Sequence, residues 1–294
     1  MTNPPSPRRR VLLGGGAALG GALLPHAPTR AAEPAAPPLK LTADTTEGPY
    51  YFDAGQVRRD ITEGHAGVPV TVRFTVLDLR GRPWRGARVD IWHCNAQGIY
   101  SGYARQGDSR QTSAQGQTFL RGTQFADAAG EAAFDSIYPG WYEGRATHIH
   151  FKVFNGARAV LTSQFFLPDA LSEFLYTQLP AYQRARLRDT LNSTDGIAIE
   201  AGDTVLGSVR EAQGRYLIAL NVVADPSARP VVDRPPAPGE GPPPGASRAG
   251  AGGPPQGWRG GPPPRPQALE GDARRDALLP TAERRAAAGM PPRR

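Results

Sequence analysis

Two histidines spaced two residues apart, His148 and His150, are the residues of this chain best suited to bind a metal. On an extended strand, residues i and i+2 point to the same face, so both imidazoles aim at one point. Just ahead of them, Pro139-Gly140 predicts a turn that can fold Tyr142 back toward that point. Two imidazoles and a phenolate suit an oxidised metal such as Fe(III) better than zinc. The competing interpretation is a strand that carries two exposed histidines.

The other histidines and the cysteine add no second metal-binding pattern. The chain has five histidines and one cysteine. His26 lies in a leader-like segment, His65 in a loop and His93 at the end of an apolar strand, and none of these is spaced as a chelate. Cys94 alone excludes an internal disulfide and a thiolate zinc cluster. Any metal bound by the chain would therefore have nitrogen and oxygen ligands.

The N-terminal part of the sequence has the composition of an export signal. Residues 1–32 contain Arg8-Arg9-Arg10, then an apolar, glycine-rich run to Leu24 and a small-residue stretch, which is typical of a twin-arginine signal peptide. An ordinary secretory signal or an uncleaved membrane anchor is the alternative. The run is short and glycine-rich for a membrane span, so we expect no stable membrane insertion. Residues 33–40 are predicted to be a linker, and the protein is predicted to be periplasmic or extracellular.

The C-terminal part, residues 226–294, is dominated by proline, glycine, alanine and arginine and has no apolar periodicity. Such a segment buries too little apolar surface to offset its chain entropy and is predicted to be disordered. Its arginines supply much of the net charge of +7. We interpret it as a solvated spacer rather than a nucleic-acid-binding segment, so the net charge says little about the folded domain.

Residues 41–225 are predicted to form one all-β domain, which is long enough for a sizeable core. Alternating apolar and polar residues predict strands at 68–76 and 87–92, with shorter ones at 119–122 and 132–134. Two hairpins are predicted, 148–154 with 160–166 across Asn155-Gly156, and 204–211 with 215–223 across Gln213-Gly214. One helix is predicted over 169–188, capped by Asp169. This pattern is typical of an antiparallel β-sandwich with loop excursions and one helical segment.

Several segments together carry a family resemblance. Residues 92–100 (WHCNAQGIY), 139–142 (PGWY) and 145–151 (RATHIHF) resemble the intradiol ring-cleavage dioxygenases, which are non-haem Fe(III) enzymes that open catechols between the two hydroxyls. Residues 46–51 (TEGPYY), 119–122 (FLRG) with 134–142, and 163–166 (SQFF) resemble further segments of that family. The resemblance spans about residues 40–225.

The resemblance implies a role for each matched residue. It makes Tyr100 and Tyr142 the phenolate ligands and His148 and His150 the imidazole ligands of Fe(III), with Tyr142 also acting as a base. It implies that Arg145 lies above the substrate ring, with Gln164 beside Arg145. It also implies that Pro49 and Tyr50, together with Arg145, bind the substrate. Glu47 receives no role.

The residues alone leave several alternatives open. They do not distinguish Tyr100 from Tyr103, or Tyr142 from Tyr138. Arg145 could instead form a salt bridge with an acid such as Glu143. Cys94 is predicted to be a small buried apolar residue.

The implied reaction consumes a small aromatic diol and O2 and yields a cis,cis-muconate-type diacid. The alternatives are an exported, non-catalytic β-sandwich binding module, or another histidine-ligated metalloenzyme that uses copper or zinc. The chain lacks the helical segment through which catechol-cleaving members dimerise, so it looks more like the compact, exported or protocatechuate-type members. A homo-oligomer is left open, as is the substituent on the catechol, because no basic residue is assigned to a substrate carboxylate.

Overall fold

The computed structural model of the protein describes residues 39–230. The predicted signal peptide, most of the predicted linker and the predicted tail from residue 231 onward lie outside the described residues. Within residues 39–230, no helix is both long enough and apolar enough to cross a membrane.

Two four-stranded sheets form the domain, which confirms the predicted all-β sandwich. One sheet has the strand order β4-β1-β8-β7 and the other has the order β3-β2-β5-β6. Strands β1 and β8 pair in parallel, and the other pairs are antiparallel. The strands are Pro69–Leu77 (β1), Arg88–Trp92 (β2), Arg121–Phe125 (β3), Glu131–Ile137 (β4), His148–Asn155 (β5), Arg158–Phe166 (β6), Ser208–Ala212 (β7) and Arg215–Val223 (β8).

The core lies between the sheets and follows from the alternation of residue types. In β1, the side chains of Val70, Val72, Phe74 and Val76 are fully buried at every second position, as expected for a strand with one face on a core. Phe74 packs against Phe151 of β5, with ring centroids 4.9 Å apart, and so joins the two sheets.

Strand β5 is buried on both faces, and this positions the candidate site. One face carries Ile149 and Phe151 into the core, and the other carries His148, His150 and Lys152. Both faces of a strand are buried only when other elements cover them. Here the covering elements are loops, so the face with the histidines lies beneath loops rather than in solvent.

The predicted hairpins are confirmed, since β5 and β6 turn at residues 156–157, where Gly156 has a φ of 61°, and β7 and β8 turn at residues 213–214. The strand predicted from residue 204 begins only at Ser208, because Gly202–Val205 forms a 3₁₀ turn.

The predicted helix 169–188 is too long, since α1 spans Asp169–Gln178. The next residues are Leu179 and Pro180, and a proline pushes the residue before it into the extended conformation, which ends the helix. Asp169 does not cap α1, because the N-cap is Pro168 and Asp169 lies in the first turn. A second helix, α2 at Gly196–Ala201, was not predicted.

Candidate metal centre and substrate cleft

The two histidines are held at the centre of a sheet. In the strand register His150 lies opposite Trp92 of β2 on one side and Gln164 of β6 on the other. The Trp92 ring stacks on the His150 ring, with centroids 4.8 Å apart and planes 13° apart. His148 and His150 are both buried, so the sheet and the stacked indole fix the direction of both imidazoles.

The two tyrosines come from separate loops that touch. Tyr100 follows β2, and Tyr142 lies in the turn after β4. Gly140 donates its N–H to the carbonyl of Asn95 over 3.1 Å. A Cβ at position 140 would collide with the carbonyl oxygens of Asn95 and Ala96, so only glycine lets these loops approach closely enough to bring the tyrosines together.

Four donor atoms converge where these elements meet. The Nε2 atom of His148 lies 3.0 Å from Nε2 of His150, 3.1 Å from the Tyr142 hydroxyl and 3.4 Å from the Tyr100 hydroxyl. The Nδ1–H of His148 donates to the carbonyl of Ala146 over 2.7 Å, which leaves Nε2 with a single lone pair. One lone pair cannot bond three polar neighbours at once, and the four donors are spaced as ligands around a cation would be.

The electrostatics of the four groups also fit a cation. Burial and the positive charge of Arg145 lower the pKa of His148 to about 3, and burial and the charge of His148 lower that of His150 well below its usual range. Both imidazoles are therefore neutral and can donate a lone pair. Burial raises the pKa of Tyr142 to about 12 and that of Tyr100 further, so a highly charged cation is needed to hold them as phenolates.

The donor set fits an oxidised metal such as Fe(III) better than zinc. Bonds of about 2.0–2.2 Å between a first-row metal and N or O ligands put adjacent donors roughly 3 Å apart, as the His148 contacts are. Within residues 39–230, no three histidine, cysteine, aspartate or glutamate side chains form a group that could hold a metal. The tyrosine oxygens are thus needed to complete the site, and anionic oxygen ligands suit a hard, oxidised metal.

The competing tyrosines have other partners. The Tyr103 hydroxyl donates to the carbonyl of Tyr51 over 3.1 Å, and the Tyr138 hydroxyl is 2.7 Å from the hydroxyl of Ser172. His93 is buried, and its two ring nitrogens contact the carbonyl of Cys94 and the hydroxyl of Ser136. Cys94 is buried, which raises the pKa of its thiol to about 12. None of these four side chains is among the four converging donors.

Arg145 forms the salt bridge that the sequence left open, but with Asp195 rather than Glu143. Its Nε donates to Asp195 over 2.9 Å, and its Nη2 donates to the side-chain oxygen of Gln164. Its Nη1 lies 3.5 Å from the hydroxyl of Tyr142. The guanidinium is therefore held beside the four donors without being one of them.

A cleft of about 340 Å³ leads to Tyr142 and Arg145, a volume suited to a small organic ligand. Pro49 and Tyr50 line one wall, and the Tyr50 ring stacks on Tyr100 with centroids 4.5 Å apart. The cleft is also lined by Arg105 and Arg110, which the sequence did not single out.

The segment that bears Pro49 and Tyr50 is tied to the strands beneath it. Gln164 donates to the carbonyl of Thr46 over 2.9 Å, and Glu47 forms a buried ion pair with Lys152. Gly48 has a φ of 70°, and a Cβ there would lie 3.3 Å from Cε1 of His150. Glycine at 48 thus lets the segment lie directly on the His150 ring.

Besides Arg105 and Arg110, the sequence missed Asp195, Lys152 and, since it received no role, Glu47. Lys152 lies two residues after His150, and the two-residue period could have put it on the same face. Asp195 precedes an apolar run and could have been read as a helix cap. No sequence signal connects Asp195 to Arg145, or Glu47 to Lys152.

Comparison with known proteins shows the family of this chain. The family model described as Dioxygenase matches residues 46–195, about half of the 294-residue chain. Catechol 1,2-dioxygenase of Acinetobacter baylyi is 28% identical over 220 residues, which cover 66% of this chain and 67% of that protein. The protocatechuate 3,4-dioxygenase beta chain of Burkholderia cepacia is 31% identical over 181 residues, which cover 54% of this chain and 75% of that protein.

Other curated relatives are matched over about half of their own length, for example 45% of catechol 1,2-dioxygenase 1 of Acinetobacter lwoffii. Among solved structures, an intradiol ring-cleavage dioxygenase from Tetranychus urticae superposes with a TM-score of 0.60 at 27% identity, covering 65% of this chain and 98% of that one. The chain therefore belongs to the intradiol ring-cleavage dioxygenases, a family of oxidoreductases.

Proposed function

We propose that this protein cleaves a catechol-type ring between its two hydroxyls with O2, using Fe(III) held by Tyr100, Tyr142, His148 and His150. The observation that carries the proposal is the convergence of two phenol oxygens and two neutral imidazoles, one of which groups, Tyr142, lines a cleft. Bound there, Fe(III) would supply Lewis acidity to a chelating catecholate.

Residues of the chain itself would transfer the proton and stabilise the developing charge. Tyr142 is partly exposed to the cleft, so its oxygen, in the phenolate form that bound Fe(III) would stabilise, can take a proton from an arriving catechol. The Nη1 of Arg145, close to that oxygen, favours its anionic form and stabilises negative charge developing on a ring in the cleft. Gln164 acts through Arg145, because its side-chain oxygen accepts from Nη2.

The walls of the cleft orient the ring and limit access of water. Tyr50 and Pro49 offer an apolar surface to one face of a planar substrate. On the other side, Arg184 lies with its guanidinium 3.9 Å from the centre of the Trp141 ring and pairs with Asp108. These contacts tie the loop that bears Arg105 and Arg110 to the turn that bears Tyr142.

The rim favours a catechol that carries an anionic substituent. The charges of Arg145 and Arg184 are balanced by Asp195 and Asp108, whereas Arg110 is exposed at the cleft. Arginine binds carboxylate in a planar, two-point arrangement. Protocatechuate is therefore expected to be a better substrate than catechol.

The test is an oxygen-electrode assay of the iron-loaded protein with catechol, protocatechuate and hydroxyquinol, with the products identified by mass spectrometry under ¹⁸O₂. We expect a ring-opened diacid that carries both atoms of labelled oxygen, and a visible absorption band from tyrosinate bound to Fe(III). An iron-loaded protein that opens none of the three rings would contradict the proposal.

Export by the twin-arginine route is also proposed, on the strength of residues 1–32 alone. This route carries folded proteins, which suits a metal inserted before export. Replacing Arg8, Arg9 and Arg10 by lysine should leave the protein inside the cell in a fractionation experiment. Unchanged export of that variant would point to an ordinary secretory signal.

A further inference from the structure

The carboxylate of Asp195 joins a helix to both halves of the site. Its Oδ1 accepts from the backbone N–H groups of Ile197 and Ala198 over 2.9 and 3.3 Å and so caps helix α2. Its Oδ2 accepts from Nε of Arg145 over 2.9 Å and from the N–H of Ala146 over 2.8 Å. The two oxygens therefore have separate tasks, one toward the helix and one toward the site.

The backbone of Ala146 connects Asp195 to His148 through two hydrogen bonds. Its N–H donates to Asp195, while the carbonyl of the same residue accepts from Nδ1 of His148. These two bonds hold the Ala146 backbone on both sides, and a ring N–H bonded to a carbonyl fixes the tautomer and orientation of a metal-binding histidine. Asp195 is thereby connected to one of the four donors.

Asp195 also determines where Arg145 can point. The Asp195 side chain is 2% exposed and that of Arg145 is 17% exposed, so little water competes for this pair. Although burial opposes it, the charge of Arg145 and the Ala146 N–H lower the pKa of Asp195, which keeps it an anion. With Nε on Asp195 and Nη2 on Gln164, the plane of the guanidinium is fixed and Nη1 faces Tyr142.

We propose that Asp195 is a positioning residue, which aims Arg145 at the substrate ring and holds His148 in its ligating orientation through the backbone of Ala146. Its role in turnover rests on the proposed function. The positioning itself can be measured in the metal-free protein. The competing explanation is that Asp195 serves only as the cap of helix α2.

Two variants separate these explanations, because Asn and Ser cap helices about as well as Asp. Asp195→Asn and Asp195→Ser can keep the cap through one oxygen, but both lose the charged second oxygen that meets Arg145 and Ala146. The matched control is Asp169→Asn, since Asp169 pairs with the buried Arg188 over 2.6 Å at the start of α1 and does not line the cleft.

In metal-free, ¹⁵N-labelled protein, we expect a slowly exchanging Nε–H signal from Arg145 that both Asp195 variants lose and Asp169→Asn keeps. In the iron-loaded protein, the Asp195 variants should release iron to a chelator faster. They should still bind catechol anaerobically. The reaction of that complex with O2 should be about 10–100-fold slower, which is no more than the slowing expected when one aimed donor is removed outright. In an Arg145→Ala background, Asp195→Asn should slow the O2 reaction no further but should still speed the loss of iron.

The proposal is overturned if the Asp195 variants keep the Arg145 signal and match Asp169→Asn in iron release and O2 reaction. Circular dichroism of each variant checks folding, and the Ser variant stands in if the Asn variant does not fold. A wild-type protein that opens no ring would contradict the proposed function, yet the Nε–H signal would still decide whether Asp195 positions Arg145.

Discussion

The Nε2 atoms of His148 and His150 lie 3.0 Å apart, in the buried interface between a strand and two loops. Two protonated nitrogens would repel at this distance, because each would be a donor without an acceptor. The lowered pKa values of both rings keep them neutral. Because two neutral imidazoles point to one place, we expect the metal content of the protein to depend on both histidines.

Replacing His150 by alanine should give a colourless, iron-poor protein, because it removes one of four ligands. The matched control is Ile149→Val, on the opposite face of the same strand and fully buried in the core. This control should cost about 0.5–1.5 kcal/mol of stability and retain iron, as measured by metal analysis and the visible spectrum. If Ile149→Val loses as much iron as His150→Ala, the two faces have been misassigned.

Tyr142→Phe should keep the fold and slow turnover roughly 10²–10⁴-fold, the usual range for loss of a general base. Tyr138→Phe is the control, because its hydroxyl contacts Ser172 and lies outside the donor cluster. It should cost about 0.5–1.5 kcal/mol of stability for one hydrogen bond and leave turnover near normal. Steady-state rates and urea unfolding measure the two effects, and the opposite pattern would transfer the role to Tyr138.

Arg145→Ala should retain the visible band, because all four ligands remain, and should still bind catechol without oxygen. The reaction of that complex with O2 should slow by about 10²–10³-fold, measured by stopped-flow absorbance. Arg145→Lys should restore little, since an ammonium cannot bond Asp195 and Gln164 together as the planar guanidinium does. Wild-type rates in Arg145→Ala would leave Arg145 with a structural role only.

Glu47→Gln should destabilise the domain by about 3–5 kcal/mol, because it leaves the buried ammonium of Lys152 without its counter-charge. Adding Lys152→Met should recover part of this loss, since both charges are then gone. Asp203→Asn, which breaks the exposed pair with Lys40, serves as the control and should leave stability unchanged. Urea denaturation compares them, and equal midpoints for Glu47→Gln and wild type would show that the pair carries no stability.

Arg110→Gln should raise the KM for protocatechuate by roughly 1.5–5-fold, as expected for an exposed ion pair worth about 0.2–1 kcal/mol. The KM for catechol, which has no carboxylate, should not change. Arg210→Gln is the control, because it removes the same charge from β7 in the other sheet. Equal effects of Arg110→Gln on the two substrates would exclude a carboxylate contact at this rim.

Local patterns in the sequence were sufficient for most strands and turns. The two-residue alternation in β1 and β5, and the glycines at 156 and 214, act over a few residues, so the strands and both hairpins are readable without the fold. The boundaries of helix α1 could not be predicted in the same way. Its length depends on Pro180, and its first turn is held by Arg188, nineteen residues after Asp169.

The candidate site was predictable only in part. The spacing of His148 and His150 predicts that both imidazoles point the same way, and the residues before them favour a metal site, but the choice of Tyr100 over Tyr103 and of Tyr142 over Tyr138 came from family resemblance. In the structure this choice corresponds to which hydroxyls face the imidazoles, and that depends on the contact of Gly140 with the carbonyl of Asn95.

What the sequence by itself determined is thus the set of groups able to do chemistry and the strand that aims two of them. What only the tertiary structure decided is how those groups are held. Arg145 meets Asp195 across 50 residues, and Glu47 meets Lys152 across a longer interval. Such pairs leave no periodic trace, because they depend on which loops the sandwich brings together and on burial that makes an unpaired charge costly.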